Sequence, residues 1–379
     1  MRGEDLRNAS CARRCRGGPR RPWCVDQICG RARRRARPGR RRPRRGLPAG
    51  GRRPLWAACA LGADHAGPGR HHQPGRQARL GAERSATARP PGGAQVIHAP
   101  YYSMPIRAGL PTVVTVHDVT WFTEPDQHSA VRASFFRSAT RTSVRHATRV
   151  IVPSKATRDE LIRVLAADPT RIDVAYHGVD QQLFHPPDEV EMLRAATRCG
   201  LHGQSYVAFL GALDPRKNVP NLIRGFAMAV KSLDRPPALV LGGGIHEDDV
   251  DAACREVEAT VKVVRPGFLR VPDLPGFLGG AAVVAFPSRG EGFGLPVLEA
   301  MACGAPVLTT HRTSLPEVGG DAVAYTEPDA DSIASELGRL LASPERRRQL
   351  REAGLARARE FTWEASVEAH LSSYQRAIE

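Results

Sequence analysis

From residue 96 onwards the chain alternates short β-branched runs with helical patterns, and this alternation limits the fold more than any other feature of the sequence. Runs such as TVVTVHD (112–118) and AVVAFPS (282–288) are apolar and end in turn residues. Such runs are typical of parallel strands that are buried on both faces. Because helical patterns follow most of them, we predict an α/β fold whose parallel sheets are covered by helices.

The alternation falls into two series, separated by a linker that contains Pro186 and Pro187. The first series covers residues 95–185, and the second covers residues 200–360. A chain of 379 residues is long enough to form two such domains. We therefore predict two α/β units, followed by a C-terminal helical segment over residues 361–379.

The first quarter of the chain differs in composition from everything that follows it. Residues 1–95 contain 24 Arg, no Lys and 5 Asp or Glu, so their formal charge is +19, and only seven of them are Leu, Ile, Val or Phe. Because so little apolar surface cannot offset the ordering entropy, we predict that residues 1–94 are disordered. GC-rich DNA translated in the wrong frame gives a similar mixture, so a frameshifted or mis-started segment is an alternative hypothesis.

The run RARRRARPGRRRPRR (31–45) makes nucleic-acid binding a rival function, because clustered arginines bind phosphates. The same segment has only two aromatic residues, Trp23 and Trp56, and no pattern of a folded reader. We therefore expect no specific nucleic-acid partner.

The cysteines and the hydropathy pattern indicate a compartment. Five of the eight cysteines lie in residues 1–95, at spacings that lack the second pair typical of zinc sites, and the other three are scattered. Scattered cysteines are expected to be reduced thiols. No apolar run is long enough for a spanning helix, and no signal-peptide core is present. We expect a cytoplasmic protein without a bound metal, in contact with the inner membrane face at most peripherally.

Polar residues follow several of the predicted strands, at the sheet edge where α/β proteins bind ligands. In GALDPRKN (211–218), Arg216 and Lys217 come between a strand and a helix. Two cations beside the amides of a helix N-terminus suit a diphosphate. A solvated loop is the alternative interpretation.

The string EGFGLPVLEA (291–300) follows another strand and opens a helix. Gly292 and Gly294 allow the backbone to approach a ligand closely, and Pro296 suits a first helical turn. Glu291 lies in the loop and Glu299 lies within the helix, so both carboxylates are expected to reach the same cleft. Two carboxylates near a helix N-terminus are also common in proteins without such a function.

Four further strings carry weaker signals. In VHD (116–118), His117 projects from a strand end with Asp118 beside it, either to orient it or to cap a turn. HGVD (177–180) has the residues of a turn. The triplet at 249–251 and the glycines at 242–244 resemble metal and phosphate motifs, but the first is expected to be a helix start and the second a tight turn.

Together these strings resemble glycosyltransferase family 4, the retaining enzymes of GT-B fold, and the resemblance covers residues 96–379. Glu291 and Glu299 match the E-x7-E pattern of the family. VIVPSKAT (150–157) and SLPEVGGDAV (314–323) support the match. The resemblance implies two Rossmann-like domains that face a cleft, an acceptor side in the first and a nucleotide-sugar site in the second. It also implies that the helix over residues 361–379 returns to the first domain.

The resemblance implies a role for each matching position. Arg216 and Lys217 are similar to the pair that grips the donor diphosphate, and Glu291 is similar to the carboxylate on the sugar hydroxyls. Glu299 resembles the residue that holds the ribose, and His117 resembles the one beside the reacting sugar. The remaining implied donor-binding residues are Gly211, Gly292, Phe293, Gly294, Leu295 and Arg265.

The implied reaction moves a hexose from a nucleotide-diphosphate sugar, with GDP-mannose favoured, to a glycan or lipid-linked acceptor. No metal or other cofactor is expected, because Arg216, Lys217 and a helix N-terminus supply positive charge to the leaving group. An inactive nucleotide-sugar-binding module is the alternative within the same fold.

The chain departs from the family pattern before residue 95, where we find no opening strand and glycine-rich loop. We therefore expect the first domain to be incomplete. Val96–His98 and Val113–Val116 would then have unpaired edges and exposed apolar surface. On this basis we predict that the chain is unstable or poorly active.

Overall fold

A computed structural model describes residues 94–125, 129–244 and 248–379 of the chain. These ranges form two parallel sheets with helices around them, which confirms the predicted α/β fold. Within them, no helix combines the length and the apolar character needed to cross a bilayer. The predictions of disorder and of nucleic-acid binding concern residues 1–93 almost entirely and so lie outside the described ranges.

The first sheet contains four parallel strands in the order β1-β2-β3-β4. They are β1 Ile97–Ala99, β2 Thr112–Thr115, β3 Arg149–Val152 and β4 Ile172–Val174. The prediction of an unpaired edge at Val113–Val116 was wrong, because β2 lies between β1 and β3 and is buried throughout. Chain order alone does not show that the strand after β1 is an inner one.

Three helices accompany the first sheet, and they are α1 Thr120–Thr123, α2 Ala130–His146 and α3 Lys155–Leu165. The start of α3 is fixed locally. The hydroxyl oxygen of Ser154 accepts a hydrogen bond from the amide of Thr157 at 3.0 Å, as the sequence predicts for an N-cap residue. The cap places the first turn of α3 directly after β3.

The second sheet contains six parallel strands in the order β10-β9-β8-β5-β6-β7. They are β5 Tyr206–Gly211, β6 Ala238–Gly243, β7 Val263–Gly267, β8 Val283–Phe286, β9 Val307–Thr310 and β10 Ala324–Thr326. Strand β8 lies within the run AVVAFPS (282–288), as predicted, whereas β10 was not predicted. The carboxyl ends of β5 and β8 lie side by side, since these two strands pair.

Nine helices follow the first lobe in the described ranges, and the last of them belongs to both lobes. They are α4 Glu189–Arg198, α5 Val219–Val230, α6 Asp248–Val257, α7 Leu274–Gly279, α8 Leu295–Ala302, α9 Leu315–Gly319, α10 Ala330–Ala342, α11 Pro344–Ala358 and, shared between the lobes, α12 Trp363–Ile378. The core between sheet and helices includes fully buried Phe209, Phe226 and Phe286.

Helix α12 packs on the first sheet although it follows the second lobe in sequence. The carboxylate of Asp173 in β4 accepts hydrogen bonds from Ser373 at 2.6 Å and Arg376 at 2.8 Å. Arg149 of β3 also donates to it, at 2.6 Å. Where α12 begins, a Cβ on Gly178 would lie 2.1 Å from the amide nitrogen of Trp363. A glycine in HGVD is therefore needed for the chain to return to the first lobe.

Candidate active site

The pair Arg216 and Lys217 lies in a tight turn after β5. Pro215–Lys217 form one turn of 3-10 helix, and Asn218 has the left-handed φ of 59° before α5 begins. Asparagine tolerates this conformation better than most residues. Its side-chain amide donates to the carbonyls of Pro287, at 3.2 Å, and Pro328, at 2.6 Å. The turn is thereby fixed against the end of β8.

Both cations of this turn point at one carboxylate. The ammonium of Lys217 lies 2.5 Å from Oε1 of Glu291, and Nη1 of Arg216 lies 2.8 Å from Oε2. The hydroxyl of Ser288 donates to Oε1 at 2.7 Å. The structure therefore brings Arg216, Lys217 and Glu291 together, although up to 75 positions separate them in the sequence. This agrees with the expectation that the carboxyl ends of parallel strands meet at one edge of the sheet. We call Arg216, Lys217, Ser288 and Glu291 the Glu291 cluster.

The cluster is largely buried, and each charged group in it shifts the pKa of its partner. Burial alone would raise the pKa of Glu291, but the charges of Lys217 and Arg216 hold it below its usual range. Burial alone would lower the pKa of Arg216, and the charge of Glu291 more than reverses that effect. The Lys217 ammonium also lies 4.9 Å from the centre of the Phe286 ring. Arg216 also lies 3.8 Å from the carboxylate of Asp214, so the two cations face two carboxylates, of which Glu291 is the buried one that both contact.

The loop that carries Glu291 is held by the segment before α9. The amide of Glu291 donates to the hydroxyl of Thr313 at 2.8 Å. The hydroxyl of Ser314 donates to the carbonyls of Glu291 and Phe293, both at 2.9 Å. Gly294 then adopts a φ of 104°, which favours glycine, and Leu295 begins α8. The amides at the start of α8 thus follow directly on the Glu291 cluster.

Gly292 brings the two lobes into contact. A Cβ at this position would lie 1.8 Å from the carbonyl oxygen of His117. The carbonyl of Gly292 accepts hydrogen bonds from Ser154 at 2.7 Å and Thr157 at 3.2 Å. The close approach predicted for this glycine is therefore an approach to the first lobe. This contact brings the Glu291 loop to the end of β2.

His117 follows β2, and its imidazole is a neutral ring packed among Tyr101, Tyr102 and His177 of the first lobe. Its Nε2 lies 2.9 Å from the carbonyl oxygen of Pro100, which only accepts, so Nε2 carries the proton. Burial lowers the pKa of His117, although Pro100 and Asp118 act in the opposite direction. The neutral ring therefore presents Nδ1 as an acceptor. Asp118 accepts from Thr120 and caps a turn, which is the second of the two roles considered for it.

Glu299 lies in the second turn of α8, as predicted, without joining the Glu291 cluster. It is half-buried, and burial raises its pKa to about 8. Gly211 ends β5, where a Cβ would make only ordinary contacts with the rings of Phe209 and Phe286. Packing thus does not require a glycine at 211, and a role in ligand binding stays a prediction.

Arg265 lies in β7 and pairs with Asp251 of α6. Among the described contacts, nothing joins Arg265 to the Glu291 cluster. Asp249 and Asp251 occupy the first turn of α6, as expected for a helix start. No group of three or more His, Cys, Asp or Glu side chains suited to a metal ion occurs in residues 94–125, 129–244 and 248–379.

Several residues that build the site were missed from the sequence. Ser288, Thr313, Ser314 and Glu317 contact the cluster, its loop or the facing lobe. Three of them follow β9 within a few residues, and two lie in SLPEVGGDAV (314–323), which was read as family-like without assigned roles. A systematic search of every strand end would have included them.

Two family models match the chain, and their matches lie one on each lobe. The model of Glycosyltransferase Family 4 matches residues 18–183, and that of Glycosyl transferases group 1 matches residues 200–357. The first match begins within the arginine-rich segment, where inspection of the sequence found no family-like string.

Among curated relatives, the O-antigen chain mannosyltransferase B of Escherichia coli is 32% identical over 288 residues, which is 74% of either chain. A D-inositol 3-phosphate glycosyltransferase of Segniliparus rotundus is 31% identical over 243 residues. That match covers 62% of this chain and 54% of the relative, so the chain spans about half the length of that protein.

Solved structures agree on the fold. The Anabaena protein HepE in complex with UDP and glucose superposes with a TM-score of 0.66 at 22% identity, over 79% of this chain and 83% of that one. WaaG, a glycosyltransferase involved in lipopolysaccharide biosynthesis, gives 0.64 at 18%, over 81% and 84%. Fold and strand-end site define a glycosyltransferase of GT-B fold. The chain belongs to the family 4, or group 1, glycosyltransferases, and it is similar to bacterial mannosyltransferases.

Proposed function

We propose that the chain transfers a hexose, with mannose favoured, from a nucleotide-diphosphate sugar to a glycan or lipid-linked acceptor, with retention of configuration. The observation that carries the proposal is the convergence of the Arg216 and Lys217 side chains, both held by Glu291, directly before the first amides of α8. Fixed positive charge in a site with little water stabilises a departing diphosphate. The same charge makes a metal ion unnecessary in this proposal.

The donor would lie along the carboxyl ends of β5 and β8. Its diphosphate would face Arg216 and Lys217, and its sugar hydroxyls would face Glu291. His117 would accept a hydrogen bond from the sugar through Nδ1, because Nε2 is used by Pro100. Glu299 would bind the ribose, and the backbone from Gly292 to Leu295 would complete the site.

In the proposed reaction, the bond between the anomeric carbon and the diphosphate oxygen breaks. A hydroxyl of the acceptor forms the new bond on the same face of the sugar, and its proton moves to the departing diphosphate oxygen. Glu291 is not proposed as a nucleophile, since two cations hold it as a paired carboxylate.

The mannose donor is supported by the E. coli relative, whose name states a mannosyltransferase. HepE was crystallised with UDP-glucose, so a UDP-sugar is the competing donor. The glycan acceptor is supported by the E. coli relative, whose name states an O-antigen chain, whereas the name of the Segniliparus relative states D-inositol 3-phosphate as a competing acceptor. A cytoplasmic location with peripheral membrane contact belongs to the same proposal.

A donor panel tests the proposal on the full chain. GDP-mannose, UDP-glucose and UDP-N-acetylglucosamine are each incubated with glycan and lipid-linked acceptors in excess chelator, and released nucleotide and product anomer are measured. We expect release from GDP-mannose without metal and a product with the anomeric configuration of the donor. Inversion of configuration, or a requirement for a divalent ion, would contradict it.

The same assay separates two other hypotheses. Binding of a nucleotide sugar without turnover would favour the inactive binding module. Robust acceptor-dependent turnover would contradict our expectation that this chain is poorly active.

A further inference from the structure

Glu317 belongs to the second lobe, but its carboxylate is bound by the first. Oε2 lies 2.9 Å from the amide nitrogen of Lys155, and Oε1 lies 2.6 Å from that of Ala156. The hydroxyl of Tyr176, which follows β4, donates to Oε2 at 3.0 Å. One side chain of α9 thus collects three donors from two elements of the opposite lobe.

These amides are the ones that a helix leaves without an internal acceptor. Lys155 and Ala156 are the first two residues of α3, and the amide of the third, Thr157, is taken by the Ser154 hydroxyl. A carboxylate at this end also lies at the positive end of the helix dipole. Glu317 therefore completes the capping of α3 from the other lobe.

The hydroxyl of Tyr176, the third donor, stays protonated in this contact. Burial, the charge of Glu317 and their hydrogen bond raise the pKa of Tyr176 to about 12. Its hydroxyl consequently keeps its proton and donates it to the carboxylate over the ordinary range of pH. Tyr176 also packs near Phe361, which precedes α12.

The segment that carries Glu317 also holds the Glu291 loop. Ser314, three residues earlier, binds the carbonyls of Glu291 and Phe293. On the far side, Arg357 of α11 donates to the backbone carbonyl of Glu317 at 2.7 Å. A displacement of Glu317 from α3 would therefore be passed to the loop that carries Glu291.

The first turn of α3 contacts that loop a second time. Ser154 and Thr157 both donate to the carbonyl of Gly292, which itself lies against His117. One helix start thus binds Glu317 through its amides and Gly292 through its hydroxyls. The contacts that join the lobes at α3 and the contacts that place the Glu291 loop beside His117 therefore share one helix start.

We propose that Glu317 is a positioning residue, a latch that closes the two lobes by capping α3 and so sets the Glu291 loop against His117. This inference rests on the proposed function for its catalytic consequence. The latch itself is a property of the contact between lobes. Lobe closure completes an active site in many enzymes that enclose their substrates.

The test compares Glu317→Ala and Glu317→Gln with the wild type in the full chain. Residue-resolved hydrogen exchange follows the amides of Lys155 and Ala156, whose acceptor is the Glu317 carboxylate. We expect exchange at both amides to be at least about tenfold faster in Glu317→Ala, with a smaller change in Glu317→Gln, which keeps one acceptor oxygen. Glu327→Ala is the matched control, because Glu327 is exposed and pairs with Arg312 within its own lobe.

Kinetics of donor consumption supply the second measurement. We expect kcat to fall about tenfold in Glu317→Ala while the affinity for GDP changes less than about twofold, since the Glu291 cluster is intact. Tyr176→Phe removes one of the three donors and should give an intermediate loss of kcat. A residue that merely stabilised the fold would not separate kcat from GDP affinity in this way.

Unchanged amide exchange in Glu317→Ala would overturn the latch, as would a kcat equal to or above that of the wild type. If Glu317→Ala fails to fold, Tyr176→Phe carries the same two measurements. The exchange experiment needs no substrate. A wild type without turnover would therefore refute the proposed function and leave the latch to be decided by amide exchange alone.

Discussion

The second lobe contains a charged polar cluster, whereas the first lobe contains a neutral one. In the second lobe, Arg216, Lys217 and Glu291 are charged and paired at hydrogen-bond distance. In the first lobe and its helix α12, four imidazoles lie close together, and burial lowers the pKa of each. They are His98, His117, His177 and His370. The comparison shows one polar cluster that is charged and paired, and another that is neutral.

The histidine cluster of the first lobe is neutral for a physical reason. The His117 and His177 rings lie 5.9 Å apart, and those of His98 and His370 lie 5.8 Å apart. At such distances two protonated imidazoles in a medium of low dielectric repel each other strongly. Neutral rings accept and donate hydrogen bonds without that cost. The first lobe is therefore suited to contact uncharged hydroxyls, and the second to bind phosphate.

The largest loss of stability is expected from removing the carboxylate of Glu291, which both cations of the Glu291 cluster contact. Glu291→Gln leaves the ammonium of Lys217, whose side chain is 9% exposed, beside Arg216 without a carboxylate. Breaking a buried ion pair on one side costs about 3 kcal/mol or more. Urea unfolding should show a free energy of unfolding lower by about that amount.

The matched control is Glu256→Gln, which breaks the exposed pair between Arg224 and Glu256 of the same lobe. Exposed pairs contribute little, so its unfolding should resemble that of the wild type. Equal losses in the two variants would mean that the Glu291 cluster is no more strongly coupled than a surface pair.

A smaller loss of stability is expected when acid protonates the neutral histidine cluster of the first lobe. Burial and the neighbouring His370 and His117 lower the pKa of His98 from 6.5 to about 3. Because the unfolded chain then binds more protons than the folded one, stability is complete above about pH 6.5 and falls as the pH falls towards 3. His98→Gln removes one such group.

Urea unfolding at about pH 6.5 and 5.5 measures this effect. Between these values the loss of stability should be about 1 kcal/mol smaller in His98→Gln than in the wild type. His311→Gln, at an exposed position, should leave the loss unchanged. An acid response that is identical in all three proteins would contradict the neutral histidine cluster.

The sequence predicted those structural features that depend on residues close together in the chain. The strands and the Ser154 cap were predicted because a few neighbouring residues determine them. The convergence of Arg216, Lys217 and Glu291 was predicted because parallel strands end at one edge. Strand β10 was missed because Ala324–Thr326 contains no Val, Ile or Leu, so no apolar run marks it.

Other features depend on tertiary contacts that no local pattern encodes. Gly292 approaches His117 and Glu317 reaches α3 only because the lobes pack together. The pair of Arg265 and Asp251 forms because β7 and α6 pack together within the second lobe, which no local pattern shows. The family resemblance indicated which strings matter, but it did not indicate which of them contact each other.

The smallest effect is expected at Glu299. This carboxyl group belongs to the same lobe as Glu291, but burial keeps it partly protonated. Its pKa of about 8 means that it ionises as the pH rises through that value. If the carboxylate accepts the ribose hydroxyls, GDP affinity should rise about threefold between about pH 7.5 and 8.5. Calorimetry on Glu299→Gln should show no such rise, and a rise that persists in Glu299→Gln would assign it to another group.

The central claim is that fixed cations of the second lobe bind the diphosphate, and calorimetry of GDP in excess chelator tests it most directly. The wild type is compared with Lys217→Ala and with Lys231→Ala, an exposed lysine beyond the end of α5. The account predicts that Lys217→Ala binds GDP at least about tenfold more weakly, since a charged hydrogen bond contributes about 1.5 kcal/mol or more. It also predicts that Lys231→Ala binds as the wild type does. Equal GDP affinity in Lys217→Ala and the wild type would contradict the account.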